Sequence, residues 1–403
     1  MMIPFSPPRI DQKIIEEVNE TLRSGWITTG PKTKRFEKKL AAFSNVPMVL
    51  CTNANTTGLE LIMRWFGVGT GDEVIVPAYT YCATANVIVH CGAKVVMVDC
   101  NENDFNISPK KIRDAITENT KVIIPVDLGG YPADYDEIYK IIDDKKDLFT
   151  PKNDIQKSLG RILVLADAAH SLGGIYKGKP VGSLADISVF SFHAVKNLTT
   201  SEGGAIALNL PGHFDAEAIY QYLNIMSLHG QSKDALAKSK NGNWRYDVIF
   251  PGYKANMTDI QASMGLVELE RYKSDNLQQR KKIVDTYNNA FENQDWAILP
   301  PIYSNDKTSS FHLYQLRIKN INEATRNAII EEIFKNEVSV NVHYQPLPML
   351  TYYKNAGYNM HDYPVAFKHY EHEISLPVYY DLSDENVQTV IESVKLAVNK
   401  TVK

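Results

Sequence analysis

The sequence predicts an α/β protein, in which a mostly parallel sheet has helices on both faces and a smaller α+β domain follows. Apolar runs of the kind that form strands buried on both faces recur at residues 93–99, 121–127 and 162–166. Helical patterns separate these runs, and this alternation, which continues to residue 208, is typical of parallel sheets. We therefore expect a large domain over residues 1–265, then a linker helix and the smaller domain over residues 266–403.

The composition is that of an ordinary globular chain and excludes several classes of protein. Of the 403 residues, 43 are basic and 47 are acidic, and the net charge of −4 argues against binding to nucleic acids or to anionic membranes. The N-terminal residues have no basic start followed by an apolar core, so no signal peptide is expected. No uncharged apolar run approaches membrane-spanning length. The sequence therefore predicts a cytoplasmic protein.

Neither the cysteines nor the histidines favour a metal site. No two of the four cysteines form a CxxC pair, and all lie beside apolar segments, so we expect buried free thiols. His369, His372 and Glu373 form a denser cluster, but the two histidines are three residues apart on a helix with the pattern of a surface helix. We therefore expect no metal. The cysteines are Cys51, Cys82, Cys91 and Cys100.

Two helices and a loop precede the first strand. Apolar residues recur at helical spacing over residues 10–24, and again in the helix that follows the Gly/Thr/Pro loop at residues 25–31. Trp26 in this loop either fills a gap in the packing or lines a pocket, and the sequence leaves both interpretations open.

A short strand at residues 48–53 runs into a small polar turn and then a helix. The first turn of such a helix presents backbone N–H groups beside the positive end of the helix dipole, which suits a phosphate dianion. Asn55 and Thr56 lie in this turn, where they either cap the helix or hold a phosphate with their backbone groups. Both can be true, since capping groups and a phosphate compete for the same donors.

The next strand ends at Pro77 and is followed by Tyr79, Tyr81 and a helix, which extends the alternating pattern. One later stretch departs from it. Residues 143–160 are highly charged and form a connection longer than is usual between a helix and a strand. We interpret this stretch as a surface insertion.

A carboxylate ends the apolar run at residues 162–166. Asp167 follows that run directly, and His170 lies three residues further along the chain. Doubly wound α/β proteins bind their ligands where the parallel strands end. The sequence therefore places Asp167 at the expected edge of a binding site.

Lys196 lies in a polar turn after another strand-like run, at residues 187–192. Taken alone, it is most simply a solvated surface lysine. The alternative is an amine in a partly dry site, where desolvation favours the neutral, nucleophilic form. Asp167 favours this alternative, because pyridoxal phosphate (PLP) needs a lysine for a Schiff base and an anion beside its ring nitrogen. Together the two residues predict a PLP site.

The second half of the chain contains a loop and the smaller domain. Residues 227–248 are polar, rich in lysine and interrupted by Gly and Asn, which is typical of a mobile loop. A helical run then extends from near residue 258 to near residue 294 and links the two domains. In the smaller domain we expect strands at residues 312–318 and 339–344 and helices at residues 327–334 and 384–398.

Five segments of the chain carry a resemblance to a known family. One is a signature block over residues 166–208, which contains ADAAHSLGG and SFHAVKNLTTSEGG. The others are GWITTGPKTKRFE, GDEVIVPAYTYCATAN, GYKANMTDIQA and NVHYQPLP, so the match extends over nearly the whole chain. In these segments the chain resembles the DegT/DnrJ/EryC1/StrS family of PLP-dependent sugar aminotransferases. The resemblance implies the aspartate-aminotransferase-like fold, PLP fold type I.

The resemblance implies roles around the cofactor ring. Lys196 is implied to hold PLP as a Schiff base, and Asp167 to pair with the ring nitrogen. His170 lies where the family has His or Gln near the phenolic oxygen, and Tyr81 matches the aromatic residue that stacks on the ring. The chain departs from the family pattern at Ala166, where the family often has Glu.

The resemblance also implies a phosphate site and a homodimer. Ser191 matches a phosphate ligand, joined by backbone groups of Asn55 and Thr56 in a turn that often reads Ser-Gly-Thr in the family. The segment GYKANM resembles one that reaches the partner subunit's site, so we expect a homodimer with active sites at the subunit interface. Where the family often has Gly-Tyr-Asn, Lys254 fills the third place, which leaves Asn256 as the expected cross-subunit amide and Lys254 as a second phosphate candidate.

As a function, the resemblance implies transfer of an amino group from L-glutamate to a nucleotide-linked 4-keto-6-deoxy sugar, for surface polysaccharide. Lys196 then acts as general base and general acid in the proton transfers. Substrate contacts are expected from His343 and Tyr344, for which a buried core pair is an equal alternative. His229 and Arg245 are further candidates, and for Arg245 a solvated surface position is the simpler interpretation.

Three other functions compete with this one. Sugar dehydratases share the fold, but in them a histidine replaces the lysine, so Lys196 argues against that function. Aminotransferases that act on 3-keto sugars or on cyclitol ketones are not excluded by any residue of the sequence. A PLP-binding regulatory protein usually carries a DNA-binding domain, for which this acidic chain has no spare segment.

Overall fold

The computed structural model of the protein describes residues 2–233 and 245–402. The central part of the loop expected at residues 227–248 therefore lies outside the described residues. In the described chain, strands and helices alternate up to residue 208 in the predicted way.

We label the helices and strands of the described residues in chain order. The α-helices are α1 (Gln12–Ser24), α2 (Pro31–Ser44), α3 (Asn55–Phe66), α4 (Cys82–His90), α5 (Pro109–Ala115), α6 (Tyr135–Asp144), α7 (Asp154–Leu159), α8 (Ala216–Ser227), α9 (Asp259–Arg271), α10 (Leu277–Phe291), α11 (Glu323–Lys335), α12 (Thr351–Asn355), α13 (Pro364–His372) and α14 (Asp384–Thr401). The strands are β1 (Met48–Thr52), β2 (Glu73–Pro77), β3 (Lys94–Val98), β4 (Thr120–Ile123), β5 (Leu163–Asp167), β6 (Ile175–Tyr176), β7 (Lys179–Pro180), β8 (Ile187–Ser191), β9 (Gly204–Leu208), β10 (Ala297–Ile298), β11 (Lys307–Thr308), β12 (Tyr314–Ile318) and β13 (Glu373–Leu376). None of these described helices has the length and apolar character needed to span a bilayer.

A seven-stranded sheet, in the order β1-β9-β8-β5-β4-β2-β3, forms the centre of the fold. The strands from β8 to β3 pair in parallel, whereas β9 runs antiparallel to both β8 and β1. The sheet is thus mostly parallel, as predicted. Because every strand except β9 runs in the same direction, the residues that follow these strands meet at one edge of the sheet.

Helices cover both faces of this sheet because side chains of a strand alternate between two apolar cores. In β1, Leu50 belongs to the core that contains Leu59 of α3, whereas Val49 belongs to the core that contains Phe36 of α2. Strand β5 is buried along its whole length, as expected for a strand covered on both faces. The sheet therefore gives rigid support to the residues at its edge.

Residues 266–403, the predicted smaller domain, contain an antiparallel sheet in the order β10-β12-β13, and α11 packs against both α14 and β13. A π-helical turn at Tyr272–Asn276 joins α9 to α10, so the predicted long helical run is present. The predicted boundary at residue 265 falls inside α9, which also packs against α1 and α2. The division into two domains therefore stays a prediction.

The prediction of a strand at residues 339–344 is wrong. This segment pairs with β13 only at Asn341, which bridges to Ser375. The Asn341 side chain accepts the N–H of Val342 at 2.7 Å, and such local bonds offer the backbone an alternative to a strand ladder. His343 and Tyr344 therefore lie in an irregular segment.

The stretch at residues 143–160 is not purely a surface insertion. It contains α7, and Gln156 of this helix is fully buried, with its Nε2 donating to the carbonyl of Phe66 at 2.8 Å. That carbonyl is among the last of α3, which have no partner within their own helix. The stretch therefore anchors the end of α3.

The prediction that His369 and His372 lie on a surface helix is also wrong, because both rings are buried. Arg317 Nη1 lies 2.8 Å from Nδ1 of His369, whose Nε2 lies 2.8 Å from the Asn101 carbonyl. All four cysteines are free thiols and are buried except Cys82, which is half-buried. In residues 2–233 and 245–402, no group of three or more His, Cys, Asp or Glu residues is arranged to hold a metal ion.

Candidate active site

A cavity of about 590 Å³ lies at the edge of the large sheet where its parallel strands end. Residues that follow β1, β2, β4, β5 and β8 line it, together with the irregular segment at residues 341–344 of the smaller domain. The fold thus brings nine of the predicted site residues to one cavity. They are Asn55, Thr56, Tyr81, Asp167, His170, Ser191, Lys196, His343 and Tyr344.

Asp167 is a buried carboxylate on the cavity wall, with 5% of its surface exposed. Thr84 of α4 donates to its Oδ2 at 2.8 Å, while Oδ1 accepts from Asn55 Nδ2 at 3.1 Å and from the Ala169 N–H at 3.2 Å. These donors are neutral, so burial dominates and raises the pKa of Asp167. The carboxylate is held in a fixed orientation, and its charge stays available to a cationic group in the cavity.

Lys196 lies in a turn after β8, in which its N–H donates to the carbonyl of His193 at 2.9 Å. Burial lowers the pKa of Lys196 to about 8, against the opposing effect of the Asp167 charge. Part of the amine population is therefore neutral near physiological pH. A neutral amine is a nucleophile and a proton acceptor, so this lysine can both form a Schiff base and transfer protons.

The first turn of α3 supplies backbone donors to the cavity. Ala54, which precedes the helix in an extended conformation, has no polar side chain to cap it. The interpretation of Asn55 as a capping side chain is wrong, because this side chain donates instead to Asp167 and, at 2.7 Å, to the Val189 carbonyl. The N–H groups of Asn55 and Thr56 have no carbonyl of their own helix to bind, so they suit an anion.

Ser191 and Gly204 lie next to this turn. Ser191 ends β8 and lines the cavity, and its Oγ accepts the His193 N–H at 3.4 Å. Gly204 pairs with Ser191 across the sheet, and a Cβ at this glycine would lie 2.4 Å from the carbonyl carbon of Ala54. Only glycine therefore lets the turn before α3 approach β9 so closely.

His170 and Tyr344 form a hydrogen-bonded pair on the cavity wall. The Gly129 N–H donates to His170 Nδ1 at 3.2 Å, so this nitrogen carries no proton. Burial lowers the pKa of His170 well below its usual value, and the neutral ring therefore has its proton on Nε2. Nε2 lies 3.0 Å from the Tyr344 hydroxyl and donates to it. The hydroxyl proton of Tyr344 is thus available to a ligand.

Tyr81 lies at the mouth of the cavity. Its side chain is 58% exposed, and its ring lies 5.7 Å from the Tyr344 ring at an angle of 47°. An exposed aromatic ring offers a flat apolar face on which another ring can stack. His193 and Glu202, 3.5 Å apart, also line the cavity and were not predicted from the sequence.

Comparison with known proteins identifies the kind of enzyme to which this cavity belongs. The model of the DegT/DnrJ/EryC1/StrS aminotransferase family matches residues 8–395. The chain belongs to this aminotransferase family. The predicted family and the predicted enzyme class, a transaminase, are therefore confirmed.

Similar proteins agree with this assignment. The spore coat polysaccharide biosynthesis protein SpsC of Bacillus subtilis is 37% identical over 397 residues, which cover 98% of this chain and 96% of SpsC. The PMP form of Spr1654 from Streptococcus pneumoniae, a proposed sugar aminotransferase, is 49% identical with a TM-score of 0.96, and the match covers 99% of this chain and 100% of that one. PseC of Helicobacter pylori, an aminotransferase involved in pseudoaminic acid biosynthesis, is 28% identical with a TM-score of 0.87 over 99% of this chain and 100% of that chain. These structures confirm the predicted fold class.

The cavity of this transaminase fits PLP, the predicted cofactor. Spr1654 is described in a PLP form as well as a PMP form, so the cofactor prediction is confirmed at the level of the family. In the present chain, Lys196 offers an amine, and Asp167 offers a buried acceptor whose protein donors are all neutral. The first turn of α3 offers N–H groups for a phosphate. The individual cofactor contacts stay predictions.

Three predicted residues do not line the cavity of this transaminase. Asn256 is half-buried, and its Nδ2 donates to Thr29 Oγ1 at 2.6 Å. His229 is exposed after α8, where its N–H donates to the Tyr253 carbonyl at 2.7 Å. Arg245 is exposed at the start of the second described range. The roles of these three side chains therefore stay predictions, as does that of the exposed Lys254.

Trp26 is a packing residue and does not line the cavity. Its Nε1 donates to the Thr29 carbonyl at 3.2 Å. Its ring also lies so close to Gly30 that a Cβ there would be 1.8 Å from Nε1. Of the two interpretations of Trp26, the structure supports the filling of a gap.

Three residues that position the site were not predicted from the sequence, and Glu373 was considered there only in a metal cluster. Thr84 holds Asp167, and its only sequence signal was a hydroxyl in the first turns of a helix that follows a strand. Gly129 orients His170 through a backbone N–H, which leaves no side-chain signal. Ser375 lies 2.9 Å from Nδ1 of His343 and also contacts Glu373. More than 25 residues of chain separate His343 from this pair, so only the fold reveals the contact.

Proposed function

We propose that this aminotransferase moves an amino group from L-glutamate to a nucleotide-linked 4-keto-6-deoxy sugar, in the cytoplasm, for synthesis of a surface polysaccharide. The observation that carries the proposal is the placement of Lys196 and Asp167 on one cavity, beside the first turn of α3. A sugar substrate is supported by the names of two relatives, since SpsC is a spore coat polysaccharide biosynthesis protein and Spr1654 is a proposed sugar aminotransferase.

Lys196 carries the proton transfers in this proposal. When bound, PLP supplies an aldehyde that condenses with amines and a ring that accepts electrons. With the group bound, Lys196 would attach the aldehyde through its amine; as a free amine it would take a proton from the donor's α-carbon at Nζ and deliver it, as an acid, to a different carbon. Its pKa of about 8 suits both directions of transfer at neutral pH. Asp167, held by Thr84 and Asn55, would pair with the ring nitrogen and favour its protonated form.

The remaining residues of the cavity orient the ligands. Ser191 and the first turn of α3 are proposed to bind the phosphate, and Tyr81 to stack on the ring. Tyr344 is proposed to donate its hydroxyl proton to an oxygen of the ligand, because His170 already donates to that hydroxyl. The cavity volume of about 590 Å³ lies within the range of ligand-binding sites.

Contacts to the two substrates form a further part of the proposal. His343 and Tyr344 come from the smaller domain and face the cavity, which places them where a sugar can reach them. His229 and Arg245 are proposed to contact the donor carboxylate or the nucleotide diphosphate. Both are exposed, and neither lines the cavity of its own chain, so this contact would be made across subunits.

A substrate panel tests the proposal. The enzyme, loaded with pyridoxamine phosphate, is offered UDP-, dTDP- and GDP-linked 4-keto-6-deoxy sugars, together with 3-keto sugars and a cyclitol ketone. We expect one of the 4-keto compounds to be aminated most efficiently, with the product identified by mass spectrometry. L-glutamate is expected to restore the pyridoxamine form faster than L-glutamine or L-alanine does. Amination of only the 3-keto sugars or of the cyclitol ketone would contradict the proposal and favour that alternative.

We also propose that the working unit is a homodimer, with Asn256 entering the partner's site. Support comes from Asn256 itself, which is fixed by Thr29 and does not line the cavity of its own chain. Two inactive variants, Lys196→Ala and Asn256→Ala, test this by complementation. A mixed dimer has one intact site if residues are shared, so refolding the two together should restore about a quarter of the activity. A mixture that stays inactive, or a monomer by light scattering, would contradict the proposal.

A further inference from the structure

Three side chains form a hydrogen-bonded chain that connects a buried carboxyl group to the cavity. His343 lines the cavity, and its Nδ1 lies 2.9 Å from the Ser375 hydroxyl. That hydroxyl also contacts Oε1 of Glu373, which is fully buried. The other carboxyl oxygen, Oε2, accepts the backbone N–H of His343 at 3.0 Å. Nε2 is therefore the nitrogen of the His343 ring that remains for a ligand in the cavity.

We propose that Glu373, Ser375 and His343 form a proton relay that ends in the cavity at Nε2 of His343. The inference rests on the proposed function, since it takes the cavity as the place where the substrates react. In this relay His343 is the residue that touches the substrate. Glu373 and Ser375 are positioning residues that act through its ring.

The protonation of Glu373 decides which nitrogen of the His343 ring carries the proton. A protonated carboxyl group donates from Oε1 to Ser375, whose hydroxyl then donates to Nδ1, so the ring proton lies on Nε2. An ionised carboxylate accepts from Ser375 instead, whose oxygen then accepts from Nδ1–H, so Nε2 carries a lone pair. A ligand in the cavity therefore meets a donor in the first state and a base in the second.

The proton count of the relay balances. When Nε2 gives its proton to a substrate oxygen, Nδ1 takes the hydroxyl proton of Ser375, and Ser375 takes the carboxyl proton of Glu373. One proton thus leaves the carboxyl group and one reaches the substrate. The reverse sequence returns the proton from the substrate to Glu373, so the same three groups serve both half-reactions of a transaminase.

The surroundings of Glu373 and His343 favour proton transfer along the relay. Burial raises the pKa of Glu373 to about 8 and lowers the pKa of His343 to about 3. Much of the Glu373 population is therefore protonated at neutral pH, and the His343 ring is neutral. The ring stacks on Phe5, with a centroid distance of 5.3 Å. The titratable and charged groups that face the relay are Arg317, Arg326, Tyr79, Tyr344, Lys196, His170 and His312.

The tautomer of the His343 ring can be measured without substrate turnover. Imidazole ¹⁵N shifts are recorded on histidine-labelled, PLP-loaded enzyme at pH values on both sides of 8, and His343→Asn assigns the signals. We expect the proton on Nε2 at low pH and on Nδ1 at high pH, with a midpoint near 8. A ring that keeps one tautomer throughout, or that becomes a cation, would overturn the relay.

Glu373→Gln is expected to fix the relay in one state. The amide oxygen should take the place of Oε2, because the His343 N–H needs an acceptor there, so the NH₂ group faces Ser375. Ser375 then donates to Nδ1 at every pH, and Nε2 keeps its proton. The matched control is Glu268→Gln, which changes a buried glutamate paired with Arg271 and should leave the tautomer switch intact. A switch that persists in Glu373→Gln would contradict the relay.

Ser375→Ala interrupts the relay between its two ends. The variant should lose the tautomer switch and lower kcat with little change in KM, because the substrate still meets the same His343 ring. Ser393→Ala is the matched control, since Ser393 is a buried serine of α14 whose hydroxyl has no partner among the described residues. Equal loss of kcat in both serine variants would show a merely structural role and overturn the relay.

Failure of the relay and failure of the proposed function give different results. If keto sugars are aminated while the His343 tautomer never changes, the relay is wrong and the function stands. If the tautomer switches near pH 8 but no keto sugar in the panel is aminated, the function is wrong. The relay would then remain a proton switch on the cavity wall.

Discussion

Two buried aspartates of the large sheet differ in how the protein compensates their charge. Asp186 precedes β8 at one edge of the sheet, and Asp167 ends β5 at the opposite edge. Arg161 donates to both oxygens of Asp186, each at 2.7 Å, and the Val164 N–H adds a further bond at 2.9 Å. Among the described residues, the groups that donate hydrogen bonds to Asp167 are all neutral.

This difference indicates that Asp186 stabilises the fold, whereas Asp167 is available for a ligand in the cavity. A buried charge is costly unless a partner compensates it, and the guanidinium of Arg161 does so for Asp186 within the folded chain. For Asp167, burial outweighs the neutral donors and raises the pKa. Lys196 is a cation that is electrostatically coupled to Asp167 from the cavity, and a protonated ring nitrogen of the cofactor is the proposed second one. Substitutions at these positions should therefore have opposite consequences for activity and stability.

Removal of the amine that faces Asp167 should have the largest effect. Lys196→Ala is expected to lower the amination rate by about 10⁴-fold or more, because we propose that cofactor attachment and proton transfer both use this amine. Single-turnover kinetics and the absorbance of the bound cofactor measure the two losses. Lys121→Met, which removes a buried amine of β4 outside the cavity, is the control and should keep both properties. Retained turnover in Lys196→Ala would refute the assignment.

The aspartate pair gives a direct test of the comparison. Asp167→Asn should lower kcat/KM by about 10²-fold or more with little change in Tm, because it removes only the charge that faces the cavity. Asp186→Asn should keep kcat/KM but lower the free energy of unfolding by about 3 kcal/mol, because it leaves Arg161 without its carboxylate. Steady-state kinetics and denaturant unfolding distinguish these results. Equal behaviour of the two variants would break the comparison.

The pH dependence of cofactor capture sharpens the comparison further. A lysine whose pKa is lowered to about 8 is mostly protonated and unreactive well below pH 8, and it becomes nucleophilic as the pH rises. The rate at which cofactor-free enzyme captures PLP should therefore rise with pH, with a midpoint near 8, and level off at higher pH. Asp167→Asn should move the midpoint down, because the Asp167 charge favours the protonated amine, whereas Asp186→Asn should not move it. Stopped-flow absorbance measures the rate, and an unchanged midpoint in Asp167→Asn would contradict the coupling.

The smallest effect is expected from a residue that contributes one hydrogen bond. Tyr344→Phe removes the hydroxyl that accepts from His170 Nε2 and that we propose donates to the ligand. A loss of about 1 kcal/mol of binding, or about fivefold to tenfold in kcat/KM, is expected. Tyr303→Phe, at an exposed tyrosine outside the cavity, is the control. A loss as large as that of Asp167→Asn would give Tyr344 a role in the chemistry itself.

The residues at the edge of the large sheet were predictable because each is identified by its own short stretch of sequence. Asp167 follows a continuous apolar run, and Lys196 follows another, so each position could be identified from its own segment. Parallel strands bring their carboxyl ends together, which turns two local signals into one site. The family resemblance added the expected cofactor contacts of Tyr81, His170 and Ser191, which single segments do not specify and which stay predictions.

The smaller domain was less predictable because its contacts link distant segments. The run at residues 339–344 has the alternation of a strand, but the Asn341 side chain competes for the backbone and only one bridge forms. His369 was predicted to lie at the surface because the sequence does not show that Arg317 and the Asn101 carbonyl both contact its ring. Glu373, first considered as a metal ligand, bonds to Ser375 and His343 instead.

One measurement tests the central claim most directly, namely that the amine of Lys196 holds the cofactor opposite Asp167. The PLP-loaded enzyme is reduced with borohydride and digested, and the modified peptide is identified by mass spectrometry. The account predicts a single pyridoxyl group, on Lys196, which is retained in Asp186→Asn. A pyridoxyl group on another lysine, or none on the loaded enzyme, would contradict it.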